Sequence, residues 1–284
     1  MKLDGRRMSD NVDDRRGKGV TGKLSLGIGG TIIVGIIAWL MGGDPVQIIT
    51  QQVLAPAGQE QTYTPSEEEE QAATFAKTIL AATEDVWTKI FEQNGMKYVP
   101  PKMVMFSSAT TSGCGSASSS TGPFYCPTDQ TVYIDLSFFN EMSSQLHAGG
   151  DFAYAYVIAH EVGHHVQNLL GTLDKVHKQQ AQVSEKESNR LSVRTELQAD
   201  FYAGVWAYHD NQDYHSLEDG DIEEGLNAAS QIGDDRLQME AQGYTVPDAF
   251  NHGTSAQRSR WLKKGLQTGN ISGGDTFSIA YSGL

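Results

Sequence analysis

Twelve consecutive residues constrain this chain most: Tyr156-Val-Ile-Ala-His160-Glu161-Val-Gly-His164-His165-Val-Gln167. They hold a His-Glu-x-x-His pattern within a nearly unbroken apolar run that begins at Phe152. A helix over this run puts His160 and His164 one turn apart on one face, where two imidazoles can grip a single metal ion. Glu161 then lies about 100° round from His160, from the helical period. Its carboxylate can reach a water on the metal without being a ligand. A metal that acidifies water beside a carboxylate that takes the proton is what zinc hydrolysis requires. The run is too apolar for a solvated face. Burying two imidazoles and a carboxylate unpartnered would cost on the order of several kcal/mol, which a metal removes.

Two histidines do not complete such a site, because a catalytic zinc usually takes three protein ligands and keeps one position open. His177, His209, His215 and His252 are available, as are many acids. A third histidine further along the same helix is excluded, since Gln167 and Leu170 stand where the metzincin pattern needs glycine and histidine. His165 points about 100° away from His164 and suits a packing or polar contact. Glu196 is the best third ligand, on a second predicted helix over 188–208 whose Leu197, Ala199 and Phe201 indicate burial. Asp200 lies one turn further on the same face. It can hold the outer ring nitrogen of a ligand histidine and fix its tautomer.

The chain has 284 residues and a net charge of −14, which disfavours nucleic-acid partners. Its charge is uneven. Residues 1–23 carry Lys2, Arg6, Arg7, Arg15, Arg16, Lys18 and Lys23 against Asp4, Asp10, Asp13 and Asp14. This stretch reads as a disordered basic tail. Residues 24–43 are uncharged and just long enough to span a bilayer. With the basic flank on the N-terminal side, they predict a single-pass signal anchor in a bacterial cell membrane. The tail is then cytoplasmic and the body is exported. Residues 44–65 read as a linker, and 66–284 as one domain. Cys114 and Cys126 bracket a Gly/Ser-rich loop, which predicts a disulfide in an oxidising compartment.

Within 66–284, Ser66 and Glu69 form a capping-box pattern for a helix that stops near Gly95. Short strands are expected at 100–106 and 131–139. Asp151 is expected to cap the His-Glu helix, which ends at Gly171. Further helices are expected near 221–232 and from Thr254 or Ser255 to Lys264. The content of 172–190 is left open.

His160-Glu-Val-Gly-His164 followed by Glu196-x-x-x-Asp200 is the gluzincin arrangement. Together with the text at 132–139, 155–167 and His252-Gly-Thr-Ser-Ala-Gln-Arg258, the chain resembles the bacterial putative neutral zinc metallopeptidase family along its whole length. The resemblance implies a zincin-like α+β domain, mostly helical with a small sheet, one catalytic Zn²⁺ and peptidase activity.

The expected reaction is hydrolysis of peptide or protein substrates, with Glu161 as general base and His252 as the group stabilising the oxyanion. The 132–139 strand is expected along the cleft, pairing with extended substrate. Two alternatives stand beside it. One is a zinc amidase acting on a non-peptide or cell-wall amide. The other is a non-catalytic binding module with a structural zinc, against which the intact Glu161 argues.

Overall fold

The computed structural model describes residues 1–18 and 63–284. The expected membrane segment at 24–43 and most of the linker lie outside the described residues. Among the described residues no helix is long and apolar enough to cross a membrane.

The elements run β1 (Val12–Asp14), α1 (Glu67–Gln93), β2 (Lys102–Phe106), β3 (Ala109–Ser112), β4 (Gly115–Ser118), β5 (Phe124–Cys126), β6 (Thr131–Asp135), α2 (Ser137–Ser144), α3 (Asp151–Leu169), α4 (Thr172–Gln180), α5 (Glu185–Tyr214), α6 (Asp221–Gln231), α7 (Asp234–Gln242) and α8 (Ser255–Thr268). The architecture is mixed α+β and mostly helical. A four-stranded sheet is ordered β1-β2-β6-β5, with β1, β2 and β6 parallel and β5 antiparallel at the edge. A separate β3–β4 hairpin follows β2. The Cys114–Cys126 disulfide joins the hairpin turn to the end of β5. Closing a loop this short contributes about 3 kcal/mol in the chain-entropy model.

Local signals set the helix ends. Ser66 accepts from the Glu69 amide and Glu69 returns a bond to the Ser66 amide, a capping box that satisfies two end donors of α1. Thr254 and Gln257 do the same for α8. The cap of α3 differs from expectation: Gly150 is the N-cap and Asp151 is already helical, placing its charge in the first turn. The 131–139 strand is also shorter than expected. The sheet ladder ends at Asp135, whose carboxylate accepts from the Ser108 and Ser137 amides and turns the chain into α2. Leu136, Phe138 and Phe139 therefore belong to that turn and helix. The remaining strand, β6, is fully buried between β2 and β5, so β5 rather than β6 is the edge strand on that side of the sheet among the described residues.

The helices pack on one face of the sheet through a core that includes Trp87, Phe152, Tyr156, Phe201 and Trp206. Helices α5 and α8 approach most closely at Gly204 and Gly265. A Cβ on Gly204 would lie 2.7 Å from the Leu266 amide nitrogen and 2.9 Å from the Gly265 Cα. Side chains at these two positions would push the helices apart.

The first residues are a correction. The charged stretch at 1–18 is not a disordered tail. β1 adds a third parallel strand to the sheet, with Val12 opposite Met103. Arg6 donates to Asp210, which is fully buried, at 2.8 Å. Ser9, Asn11 and Arg7 all donate to Glu84 of α1, at 2.5, 2.8 and 2.9 Å. Arg16 bridges Asp14, Glu70 and the Glu69 carbonyl. These charges mark partners that lie far along the chain. A cytoplasmic tail with an exported domain would require β1 to leave the sheet and would leave Glu84 and Asp210 without these donors.

The packing has a measurable consequence. Arg6→Ala strands a buried carboxylate, which typically costs about 3–5 kcal/mol. The urea midpoint of the full chain should fall accordingly. A change below about 1 kcal/mol, the usual worth of an exposed pair, would show that the segment does not pack as described.

Candidate active site

Helices α3 and α5 cross beside a cleft of about 560 Å³ lined by His160, Glu161, His164, Glu196, His252 and Arg258. The crossing is close because of Gly163, between the two histidines. A Cβ there would lie 2.9 Å from the carbonyl oxygen of Ala199 and 3.1 Å from its Cα. Glycine thus brings the backbone of α5 against the helix that carries His160 and His164.

Each histidine is aimed by its outer nitrogen. His160 Nδ1 lies 2.8 Å from Asp200 Oδ1, leaving Nε2 at 3.1 Å from Glu196 Oε2. His164 Nδ1 lies 2.9 Å from Gln167 Oε1, leaving Nε2 at 3.5 Å from Glu196 Oε1. Ligand-capable atoms of His160, His164 and Glu196 all fall within 4.8 Å of one another. Ligands about 2.0–2.1 Å from a tetrahedral zinc sit roughly 3.3 Å apart. The donor set and its spacing therefore fit one such ion. The three candidate ligands are brought together, and Asp200 lies behind His160, bonded to its outer ring nitrogen.

The electrostatics suit a cation. Burial opposes charge on His160, but Asp200 and Glu196 outweigh it and hold its pKa up at about 10. His164 is also raised, by Glu196 against burial. Burial pushes Glu196 up, yet the two imidazoles hold it well below the usual carboxylate range. A divalent ion would take the place of the protons that these groups attract.

Glu161 follows His160 on α3 and is only 8% exposed. Burial raises its pKa, with the imidazoles pulling the other way. His252 sits on the same cleft through the loop before α8. Asp234 holds its Nδ1 at 3.0 Å and also accepts from the amides of Asn251, His252 and Gly253. Burial lowers the His252 pKa, but Asp234 outweighs it and raises the group overall.

Other histidines are placed elsewhere. His165 Nε2 donates to the Val99 carbonyl at 2.7 Å, so its Nδ1 accepts from Tyr125 at 2.9 Å. Burial lowers its pKa to about 4, which fits the polar contact expected. His177 lines the cleft outside the metal cluster, and His209 bonds the Gly269 carbonyl. His215 closes α5 in the left-handed conformation.

Residues without an assigned sequence role complete the support. Asp200, fully buried, accepts from Arg258 Nε at 2.9 Å and Nη2 at 3.0 Å, and from Tyr156 Oη at 2.6 Å. Arg258 reaches Asp200 because Gly204 and Gly265 let α8 close on α5. Its place in the text after His252 was visible, but its partner lies 58 positions away. Asp234 had no signal beyond being one of many acids.

The model of the family described as "Putative neutral zinc metallopeptidase" matches residues 1–277. The chain belongs to that family. Proteins similar to it include the Escherichia coli K12 protein described as uncharacterized protein YpfJ, 51% identical over 98% of this chain and 99% of that protein. Another is the Mycobacterium bovis uncharacterized protein Mb2605, 40% identical over 86% of each chain. No solved structure matches the chain. The family match supports zinc as the metal for the His160–His164–Glu196 trio.

Asp200→Asn removes the charge that aims His160 and compensates Arg258. Zinc affinity should fall by about 10–100-fold, the usual effect of losing a ligand's supporting bond. Competition against a chelator of known affinity measures this. Unchanged affinity would assign Asp200 to Arg258 alone.

Proposed function

We propose that the chain is a zinc-dependent endopeptidase in which Glu161 is the general base. One observation carries this reading: a buried carboxylate that is not part of the ligand trio opens onto the same cleft as that trio. A structural metal site has no need of such a group. A bound zinc would supply Lewis acidity to a carbonyl and a water of lowered pKa.

Glu161 takes the proton of the attacking water and returns it to the leaving amine. Its raised pKa favours holding that proton between the two transfers. Asp234 holds His252 Nδ1 and favours the protonated ring, which can donate from Nε2 toward the oxyanion that develops at the scissile carbonyl. Arg258 and Tyr156 fix Asp200, and so keep His160 Nε2 directed at the metal position.

The cleft supports a peptide substrate. β5 is an edge strand, and Phe124 and Tyr125 line the cleft beside α3. An extended chain can add to that edge through its backbone, as peptides do at exposed sheet edges. Phe138, Leu146, Val157 and Leu173 give the cleft an apolar wall for a substrate side chain. The disulfide beside β5 supports an oxidising, exported setting for the body together with residues 1–18, which pack on it, and we include this in the proposal.

Two experiments test the chemistry. Glu161→Gln should retain zinc while hydrolysis of unfolded protein substrates falls by about 10²–10⁴-fold, the usual contribution of a general base. Chelation should abolish wild-type hydrolysis and zinc should restore it. A fully active Glu161→Gln, or hydrolysis confined to non-peptide amides, overturns the reading.

His252→Ala should lower kcat by about 10²–10³-fold, as loss of an oxyanion donor does, with zinc content unchanged. A rise in KM alone would move His252 to substrate binding.

A further inference from the structure

Asp200 supports His160; the support of His164 is of a different kind and has a further consequence. Gln167 lies one turn beyond His164 on α3 and is fully buried. Its Nε2 lies 2.7 Å from the Thr195 carbonyl oxygen and 3.1 Å from Gln198 Oε1. Gln198 Nε2 in turn lies 2.7 Å from the Gly274 carbonyl oxygen.

Backbone carbonyls only accept hydrogen bonds, so the amide orientations follow without ambiguity. Gly274 fixes the NH₂ end of Gln198, which turns its oxygen toward Gln167. Thr195 fixes the NH₂ end of Gln167, and both of that group's hydrogens are then used. The Gln167 oxygen must face His164 Nδ1, 2.9 Å away, and that nitrogen must carry the proton. Thr195 also immediately precedes Glu196, so Gln167 ties the helix of two ligands to the residue beside the third.

We infer that Gln167 is a positioning residue for the metal. It locks His164 in the Nδ1–H tautomer, frees Nε2 for ligation, and sets the distance between His164 and Glu196. The Gln198 bond extends this control to the C-terminal stretch at Gly274. A free imidazole can place its proton on either nitrogen. Without the Gln167 acceptor, the Nε2–H form competes directly with metal binding, and the buried Nδ1–H is left unpaired in the ligated state. This inference rests on the zinc reading above, and concerns affinity rather than catalysis.

Gln167→Met keeps the size of the side chain and removes the acceptor and both donors. Zinc affinity, measured by chelator competition on the full chain, should fall by about 10–100-fold. The zinc-free variant should keep the wild-type far-ultraviolet circular dichroism. In the zinc-loaded wild type, ¹⁵N-resolved NMR should show a His164 Nδ1 proton protected from solvent exchange. That measurement needs no variant and stands if Gln167→Met does not fold. Wild-type zinc affinity in a folded Gln167→Met, or a freely exchanging or absent Nδ1 proton in the zinc-loaded wild type, overturns the inference. Failure of the wild type to bind zinc at all would instead overturn the zinc reading itself.

Discussion

Two helices that share one metal ion must hold their ligand side chains at one fixed separation, and here a close backbone contact sets it. At this site α3 carries His160 and His164, and α5 carries Glu196. Gly163 removes the side chain that would stand between them and meets Ala199 backbone to backbone. The rest of the centre depends on that contact. Glu196 reaches both imidazoles, Asp200 reaches His160 one turn on, and Gln167 reaches back to Thr195. A second glycine contact, Gly204 against Gly265, repeats the device for α8 and delivers Arg258 to Asp200. The site is assembled by backbone proximity first and by polar bonds second.

The polar bonds carry a cost that the packing alone would not. Asp200 and Arg258 are both buried, and desolvating such a pair costs several kcal/mol per ion in rough terms. Their attraction and hydrogen bonds offset this only because each has several partners, Arg258 donating to Asp200, Tyr156 and the Ile232 carbonyl. Asp200 takes two bonds from Arg258, one from Tyr156 and one from His160. Removing either Asp200 or Arg258 leaves the other charge buried without compensation. A network that sensitive is poor evidence for stability, but it holds a ligand histidine in one orientation, which a metal site requires.

How much of this was legible depended on distance along the chain. His160, Glu161 and His164 follow a helical period within one element. Glu196 and Asp200 follow the same period within another, so both pairs could be read from spacing. The disulfide was legible because its loop composition is local. The first eighteen residues were misread because a three-residue strand has no measurable periodicity and the arginines on either side of it resemble a solvated tail. Their partners Glu84 and Asp210 lie 77 and 204 positions away. β6 was read too long because Leu136, Phe138 and Phe139 have strand-like character, whereas the turn is made by the Asp135 carboxylate. Arg258 and Asp234 were missed as partners because tertiary contacts alone define their roles.

The two histidines are supported unequally, and charge explains why. His160 leans on a carboxylate that is already matched by Arg258, so that support adds no net charge to the interior. Glu196 and Glu161 bring two further negative charges toward the metal position, which a dication would balance. A second carboxylate behind His164 would leave one buried negative charge in excess, with no further guanidinium beside it among the described residues. Gln167 is neutral and still accepts from Nδ1, so it orients the ring without disturbing that balance. Its two donors must then be satisfied, and the carbonyl of Thr195 and the amide of Gln198 do so. The choice of glutamine at 167 therefore follows from the charge already present at 161, 196, 200 and 258.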